Sequence, residues 1–412
     1  MLNIMKYFVY LLLYISTTVA AEDVSNWLDR IQWHGFASQG LVFTTDNNFY
    51  GESDHGSADL TELGLNASLQ LSPDVRIAGQ VLSRQAGDMD DGSPRLDYGL
   101  LDVNLVSSMK GRVGFYLGRI KNPLGLYNDT RDVAHTRQGV FTPQVIYFDK
   151  VRDLTMSADG LHFYGEYVLN NGTLLVQGGL GYPIPDDNVE ITYLGQDWSG
   201  RLDSNRPALV GRIMYEHNGG RWIFAASGAS LELDFDSGAA DAIPIVGVHS
   251  GTLEIDYSIL SGQFNGEKWQ FTAEAAIQKA NFVDIGGLFV DADTKPFGLM
   301  LEANYKLTPQ WQVYIRNELF YLNKEDKYGR EFNSQLQAVS DAFGGAIPVL
   351  AAHTRYSKNW VIGSRWDINK NIMFRADYHR NEGTATLSGA ENDMTKVEQD
   401  WDMFAVSLSY RF

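Results

Sequence analysis

The last twelve residues of the chain read Trp401-Asp-Met-Phe-Ala-Val-Ser-Leu-Ser-Tyr-Arg-Phe412. Over this stretch, large apolar or aromatic residues alternate with small or polar ones. A strict two-residue period predicts a β-strand with one apolar and one polar face. The aromatic last residue predicts that this strand is held along its whole length and leaves no free tail. One face would carry Phe404, Val406, Leu408, Tyr410 and Phe412, and the other Ala405, Ser407, Ser409 and Arg411.

This ending resembles the C-terminal signature by which the assembly machinery of the bacterial outer membrane recognises β-barrel proteins. The resemblance implies that Phe404, Tyr410 and Phe412 form an assembly signal and that the barrel-assembly machinery is a partner. In a barrel the last strand must also close onto the first, because an open sheet edge in hydrocarbon leaves backbone groups unsatisfied. The alternative interpretation is the final strand of a soluble β-sandwich.

The N-terminus predicts export. Residues 1–21 have the pattern of a secretory signal peptide: Lys6 in a positive first part, an apolar stretch over 7–15, and small residues at the cleavage site Thr18-Val-Ala-Ala21. Residues 22–30 are predicted to be a short polar segment on the periplasmic side. No later segment offers the ~18 consecutive apolar residues of a transmembrane helix.

The charge balance bears on the partners. With 33 basic and 51 acidic residues the net charge is −18, which argues against nucleic acid as a partner. An acidic, solvated outer surface fits loops that bind divalent cations bridging lipopolysaccharide. The absence of cysteine suits an exported protein without disulfides.

Alternation like that of the last strand recurs from residue 31 onward, and the connections alternate in length. Seven short turns and eight longer polar segments make fifteen connections, which predicts an all-β fold: a sixteen-stranded antiparallel transmembrane barrel over 31–412. The short turns would lie on the periplasmic side. The predicted turns are 72–74, 107–110, 170–172, 217–220, 265–267, 308–310 and 369–371, and the predicted loops are 46–59, 86–94, 122–157, 182–207, 236–246, 279–295, 322–352 and 381–399.

Aromatic residues recur beside the turns and predict interfacial girdles, with ordinary core packing as the alternative. The residues concerned are Trp222, Trp269, Trp311, Trp360, Tyr167, Tyr257 and Tyr305.

The polar strand faces predict a wet lumen. A sixteen-stranded barrel is too wide for side chains to fill and normally encloses an aqueous channel, so the architecture implies transport. The predicted wall carries both signs of charge, because its arginines are matched by residues such as Glu62, Glu274, Glu302 and Asp377. The wall candidates are Arg76, Arg84, Glu166, Arg212, Arg316, Arg365 and Arg375.

The third loop, 122–157, is the longest and the most basic. The window 119–152 holds six Lys and Arg residues against three Asp. Cations around a narrow neck would favour anions. The alternative is that Arg131 and Arg137 pair with Asp129 and Asp132 and hold the fold of the loop. The candidates for a constriction are Arg119, Lys121, Arg131, His135, Arg137, Lys150 and Arg152.

The stretch Gly118-Arg-Ile-Lys-Asn-Pro-Leu-Gly-Leu126 resembles the Gly-x-x-Lys-x-Pro-x-Gly stretch of the phosphate-selective (O/P-type) porins and the related dicarboxylate-specific porins. The resemblance implies a sixteen-stranded, typically trimeric channel whose third loop folds inward. It also implies that Arg119 and Lys121 lie on the inner wall.

Together these features predict an outer-membrane porin for passive diffusion of small hydrophilic, anionic solutes, with no cofactor, no metal site and no enzymatic activity. One alternative is a barrel that acts through its external loops as an adhesin or receptor, with a helix near 334–343. A barrel hydrolase or acyltransferase has less support. Ser53-Asp54-His55, in the first predicted loop, is triad-like, but adjacent residues rarely form a triad and a polar loop tip is the alternative interpretation.

Overall fold

A computed structural model describes residues 30–243, 246–289 and 293–412. The predicted signal peptide, 1–21, and residues 22–29 lie outside the described ranges. Within these ranges the helices are α1 Arg152–Met156, α2 Asp187–Leu194 and α3 Arg330–Ala342. The strands are β1 Gln32–Thr44, β2 Ser57–Ser72, β3 Val75–Ala86, β4 Arg95–Ser108, β5 Gly111–Lys121, β6 Ser157–Leu169, β7 Gly172–Pro183, β8 Arg201–Asp203, β9 Ala208–His217, β10 Trp222–Asp236, β11 Gly251–Asn265, β12 Trp269–Val283, β13 Asp293–Thr294, β14 Phe297–Lys306, β15 Trp311–Tyr321, β16 Tyr356–Asp367, β17 Ile372–Glu382 and β18 Asp400–Arg411.

The strands form one closed antiparallel sheet. Each pairs with its neighbours in chain order, and β18 returns to β1 with Phe36 opposite Arg411 and Thr44 opposite Met403. The short strand β8 and its successor β9 both pair with β10, and β13 and β14 both pair with β12. Each of these two couples therefore fills one place in the sheet, which leaves sixteen places around the barrel. The predicted sixteen-stranded barrel is confirmed.

The two faces of β18 show why the chain forms this barrel. Phe404 and Leu408 are 46% and 53% exposed, whereas Ser407 and Ser409 are 2% and 1% exposed. Large apolar residues thus point away from the barrel, and the same pattern repeats on the other strands. An exposed apolar surface of this extent is typical of a lipid-facing barrel wall.

Most of the predicted girdle residues lie on this outer face, including Trp222, Trp269, Trp311 and Trp360. Tyr257 does not. Its hydroxyl donates to the carbonyl oxygen of Ile146 at 2.6 Å inside the barrel, so its assignment to a girdle was wrong. The two-residue period places Tyr257 on the inner face together with Ile259.

The loops depart from the predicted bounds at a few places. Strand β12 continues to Val283, into the segment predicted as a loop from 279, and α3 begins at Arg330, four residues before the predicted helix. None of the helices in the described ranges has the length and apolar character to cross a bilayer.

The interior differs between the two ends of the barrel. At the end with the long loops, apolar side chains of the loops pack against apolar inward residues of the strands; Val151, Leu154 and Val189, for example, contact Leu233 and Leu253. At the end with the short turns the inner wall stays polar. The inner faces are therefore less uniformly polar than expected, because loops that enter a barrel need an apolar wall to pack on.

Candidate functional site: the third loop and the lumen wall

The third loop joins Lys121 at the end of β5 to Ser157 at the start of β6. The side chain of Asn128 donates to the carbonyl oxygens of Asn122 and Thr155, at 2.9 and 2.8 Å, and so ties the two ends of the loop together. Gly125 has a φ of +56°, and a Cβ there would lie 2.2 Å from the Tyr147 hydroxyl. This position therefore favours glycine for both its conformation and its space.

The loop crosses the interior from wall to wall. On one side the N–H of Gly125 donates to Ser227 Oγ on β10 at 2.8 Å. On the other, Arg137 donates to Glu62 on β2 at 3.0 Å. Strands β2 and β10 are seven places apart in a sheet of sixteen, so they lie nearly opposite each other. The loop thus divides the long-loop end of the barrel from the short-turn end.

Many basic side chains of the site bind backbone carbonyl groups. A guanidinium or ammonium group satisfies a buried carbonyl oxygen strongly, since the hydrogen bond is charge-assisted. These contacts fix the path of the loop. They run from Arg212 to Gly125 O (2.9 Å), from Arg365 to His135 O and Arg137 O (both 3.2 Å), from Arg375 to Ala134 O (3.3 Å) and Gly139 O, and from Lys150 to Ala385 O (2.8 Å).

A buried group of ion pairs holds the loop against β2 and β3. Arg84 contacts Glu62 at 3.4 Å and Asp149 at 3.6 Å, and Arg152 contacts Asp149 at 3.3 Å. Burial alone would raise the pKa of Asp149, but Arg84, Arg152 and Arg131 outweigh that effect and hold the pKa well below its usual range. The carboxylate therefore stays charged and keeps its arginine partners.

Burial is the main cause of the lowered pKa of three other side chains of the loop. Burial, with the field of Arg152, lowers the pKa of Arg131 to about 9. Burial, with the field of Arg355, lowers the pKa of Lys150 to about 8. For His135, burial and nearby arginines lower the pKa to about 4, so its imidazole is neutral at pH 7. These groups are enclosed by protein rather than spread around an open neck.

The pairing proposed for the loop aspartates is corrected. Asp129 pairs with Arg212 of β9 at 2.9 Å, not with Arg131 or Arg137. Asp132 pairs with Lys121, which also contacts Asp97 of β4 at 2.7 Å. Arg131 instead donates to Arg152 O at 3.1 Å and to Thr155 Oγ1 at 3.0 Å. The alternating inner face of the strands supplies these partners, and their register is not visible from the loop sequence.

Arg119 is not on the inner wall. In the register of β5 and β6, Arg119 stands opposite Asp159. Asp159 lies two residues before Leu161 on β6 and therefore faces outward as Leu161 does. The Arg119 guanidinium binds both carboxylate oxygens of Asp159, at 2.8 and 2.9 Å. The resemblance that implied an inward Arg119 is therefore wrong for this residue, because the alternation of β5 turns it outward.

The opposite side of the loop is apolar. It packs on the inner faces of β9 to β12 and leaves a cavity of about 50 Å³. Residues around it include Leu124, Ile146, Tyr193, Val210, Ala229 and Ile259.

The short-turn end contains the more accessible inward charges. The side chains of Arg76 and Arg112 are 46% and 56% exposed, and they pair with Asp102 at 3.0 Å and with Glu166 at 2.9 Å. By contrast, Arg84, Arg316 and Arg375 are almost fully buried. Arg112 and Asp102 were missed by the sequence reasoning, although the two-residue period of β4 and β5 places both on the inner face.

The remaining candidates lie at the seam and in the first loop. Phe404, Tyr410 and Phe412 face outward, and the N–H of Phe412 donates to Gly35 O at 3.0 Å. Ser53 is buried and bonds Thr44 at 2.9 Å, while Asp54 pairs with the exposed His55. These three adjacent residues do not form a triad.

In the described ranges no group of three or more His, Asp or Glu residues is arranged to hold a metal ion.

Comparison with known proteins finds similar structures but no similar sequences. No family model and no curated protein sequence matches the chain. Solved structures do. The anion-selective porin from Comamonas acidovorans superposes with a TM-score of 0.57 at 12% identity, covering 93% of this chain and 99% of that one. This chain has the porin fold.

Two further structures with the porin fold are similar to it. The outer membrane channel DcaP of Acinetobacter baumannii has a TM-score of 0.54 at 12% identity, covering 93% of this chain and 97% of that one. A trimer form of OmpT, an outer membrane protein of Vibrio cholerae, has a TM-score of 0.53 at 11% identity, covering 93% of this chain and 99% of that one. At these identities the likeness concerns the porin fold alone.

Proposed function

We propose that the chain is a channel of the bacterial outer membrane through which small hydrophilic solutes diffuse passively. The observation that carries the proposal is the third loop, which crosses a barrel whose short-turn end has a polar, accessible wall. In such an arrangement the space beside the loop sets the width of the passage, and the charges around it set the selectivity. An apolar outer face and a resemblance of the last strand to the assembly signal support the membrane location.

The test is single-channel recording in planar bilayers, together with swelling of liposomes in sugars of increasing size. We expect a small conductance and a sharp size limit, because the loop occupies most of the long-loop end. A correctly folded barrel without any conductance would contradict the channel.

We propose a weak preference for anions. The window 119–152 holds more Lys and Arg than Asp residues, which favours anions. The preference is weak, because the accessible arginines at the short-turn end are each matched by a carboxylate, and most basic residues of the loop bind carbonyl oxygens or buried acids. The outward position of Arg119 removes one cation from the proposed constriction. A channel specific for phosphate or dicarboxylates has correspondingly less support. Reversal potentials in a salt gradient test the preference, and clear cation selectivity would end it.

The second candidate is a sealed barrel that acts through its external loops. It is favoured by the apolar packing of the first, third and eighth loops, where Tyr50 and Phe141 contact Leu387 and Trp401. The same recordings separate the candidates, since a sealed barrel passes no current.

A homotrimer is proposed from a gap in the outer aromatic residues. The outward faces of β2 to β5, all within the described ranges, carry no Trp or Tyr, whereas Trp33, Trp222, Trp269, Trp311 and Trp360 point outward elsewhere. Aromatic girdles mark contact with the lipid interface. A sector without them suits a neighbouring copy of the chain, and a porin fold in trimer form occurs in OmpT of Vibrio cholerae.

Two matched variants test the trimer. Gly79 on β3 and Gly262 on β11 both face outward, and a Cβ at either would have its nearest contact at 3.4 or 4.0 Å. Gly79→Trp should shift the detergent-solubilised protein to monomers in light-scattering measurements, and Gly262→Trp should leave its mass unchanged. If neither variant changes the mass of a trimer, β2 to β5 are not the interface.

The lipid bilayer and lipopolysaccharide are the other partners proposed.

A further inference from the structure

A group of tyrosines and basic residues lies on the outer wall at the long-loop end, where β15 and β16 meet the loop that carries α3. Tyr321 and Tyr356 stand opposite each other in the register of these strands. The Tyr328 ring packs edge-on against both, with ring centroids 6.2 Å from Tyr321 and 5.5 Å from Tyr356. This tyrosine–lysine rim consists of Tyr321, Lys327, Tyr328, Arg330, Tyr356 and Lys358.

The basic groups of the rim surround the rings. Lys358 Nζ is 4.8 Å from the centroid of Tyr328, and the guanidinium carbon of Arg330 is 6.0 Å from the same centroid. Lys327 Nζ is 5.6 Å from the centroid of Tyr321. A cation held over an aromatic face keeps its charge and several hydrogen-bond donors available for an anion.

The acids of this loop are bound to other groups: Glu325 pairs with Lys295 at 3.0 Å, and the Asp326 carboxylate accepts the backbone N–H groups of Arg330 and Phe332, both at 3.0 Å. Lys358 pairs with Glu382 at 2.8 Å. Lys327 and Arg330 have no carboxylate within 4.0 Å among the residues that the structure describes. Lys327, Tyr328 and Arg330 are exposed. The rim thus presents two exposed cationic side chains, Lys327 and Arg330, that form no ion pair within the described ranges.

Four places away in the sheet of sixteen, a quarter of the way around the barrel, the outer wall has the reverse character at a comparable end of the strands. Glu232 and Glu254 stand opposite each other on the outward faces of β10 and β11, and Ser230 stands opposite Asp256. Arg206, which lies in this sector, is already paired with Glu232. The two sectors therefore differ in the charge that they present on the outer wall.

The depth of the rim points to its occupant. On the outward face of β16, the order towards the long-loop end is Ile362, Trp360 and Lys358. Ile362 and Trp360 are 59% and 55% exposed. The order of apolar residue, tryptophan and lysine along a strand is the order in which a barrel wall leaves hydrocarbon and enters the headgroup layer. Phosphate groups of membrane lipids lie at that depth.

We propose that the tyrosine–lysine rim binds the phosphate of an anionic lipid headgroup in the leaflet that faces the long loops, such as the phosphorylated glycolipid of an outer membrane. Lys327 and Lys358 supply ammonium donors, Arg330 a guanidinium fork, and the tyrosines an amphipathic surface for the headgroup. This inference rests on the proposed membrane location, but not on conduction.

The test uses the full-length barrel in detergent and native mass spectrometry with bisphosphorylated lipid A. The triple variant Lys327→Gln, Arg330→Gln, Lys358→Gln should bind this lipid at least about tenfold more weakly than the unaltered chain, since each basic residue near a membrane surface contributes roughly a kilocalorie per mole. The control replaces three cations that are paired with carboxylates elsewhere on the barrel, as Arg119→Gln, Arg201→Gln and Arg206→Gln. It should bind like the unaltered chain.

Two further arms identify the recognised group. Dephosphorylated lipid A should bind the unaltered chain and the triple variant equally weakly, and millimolar inorganic phosphate should not displace lipid A. Displacement by free phosphate would show a soluble-anion site and overturn the proposal, as would equal lipid binding by the triple variant. Heat-modified migration in gels verifies that each variant is folded. Loss of conductance with intact lipid binding would count against the channel alone.

Discussion

Arg375 and Asp377, neighbours on the inner face of β17, hold the same peptide bond of the third loop. Asp377 accepts the N–H of Val140 at 2.6 Å, and Arg375 donates to the carbonyl oxygen of Gly139. A Cβ at Gly139 would lie 2.3 Å from the Tyr314 hydroxyl and 2.9 Å from Asp377, so the wall also leaves little space for a side chain there. The loop is thus fixed at a point more than 200 residues away in the chain.

Removing this anchor should widen the passage. Arg375→Ala leaves the carbonyl groups of Ala134 and Gly139 without their charged donor, at a cost of about 1.5–3 kcal/mol per bond. We expect a larger and noisier single-channel conductance. Arg76→Ala is the control, because Arg76 pairs with Asp102 and contacts no loop carbonyl in the described ranges. Equal conductance of both variants would mean that the anchor does not set the width.

Ion selectivity should depend on the accessible charges and little on the buried ones. Arg112→Gln removes a half-exposed charge from the wall and leaves Glu166 unpaired, so reversal potentials should shift towards cations. Arg137→Gln removes a charge that is only 9% exposed and bound to Glu62. Its main effect should be on the stability of the loop. The reverse ranking of the two shifts would restore the loop as the selectivity element.

The contact between the first and eighth loops should depend on pH. Glu391 accepts the N–H groups of Tyr50 and Gly51, at 3.1 and 2.7 Å. Burial raises its pKa to about 7 from a usual value near 4.5, although the two hydrogen bonds oppose the shift. The folded state therefore binds more protons than the unfolded state between these values, and stability should fall as the pH rises from about 4.5 to 7.

Hydrogen exchange at Tyr50 and Gly51, corrected for the intrinsic rate, measures this effect. Protection should decline over that pH range in the unaltered chain and stay level in Glu391→Gln, which cannot ionise. A decline of equal size in the variant would assign the effect to another group.

Phe412 should matter more for assembly than an aromatic residue elsewhere on the outer face. Its backbone bonds to Gly35 across the seam, and its ring covers Gly35 so closely that a Cβ there would lie 2.5 Å away. Phe412→Ala should lower the fraction of folded barrel in the membrane, as judged by heat-modified migration in gels. Phe374→Ala, an outward substitution on β17, should have a smaller effect. Equal yields would argue against a terminal assembly signal.

The sequence alone was sufficient to predict the barrel. Alternation in a strand such as Trp269–Val283 is local, because successive side chains point to opposite faces whatever the strand pairs with. The number of strands around the barrel followed from counting the alternating short and long connections. The same local rule puts Arg76, Arg316 and Arg375 on the inner face, and it would have placed Arg112 there and Arg119 outside had it been applied to β5.

Only the tertiary structure decided what the inward charges contact. Arg137 meets Glu62 and Arg212 meets Asp129 because the third loop crosses the barrel and brings together residues 75 and 83 positions apart. Such pairs depend on the path of a loop without a repeating pattern, and many partners of opposite charge are equally compatible with its sequence. Periodicity determines which way a side chain points, whereas packing in three dimensions determines which group it finds there.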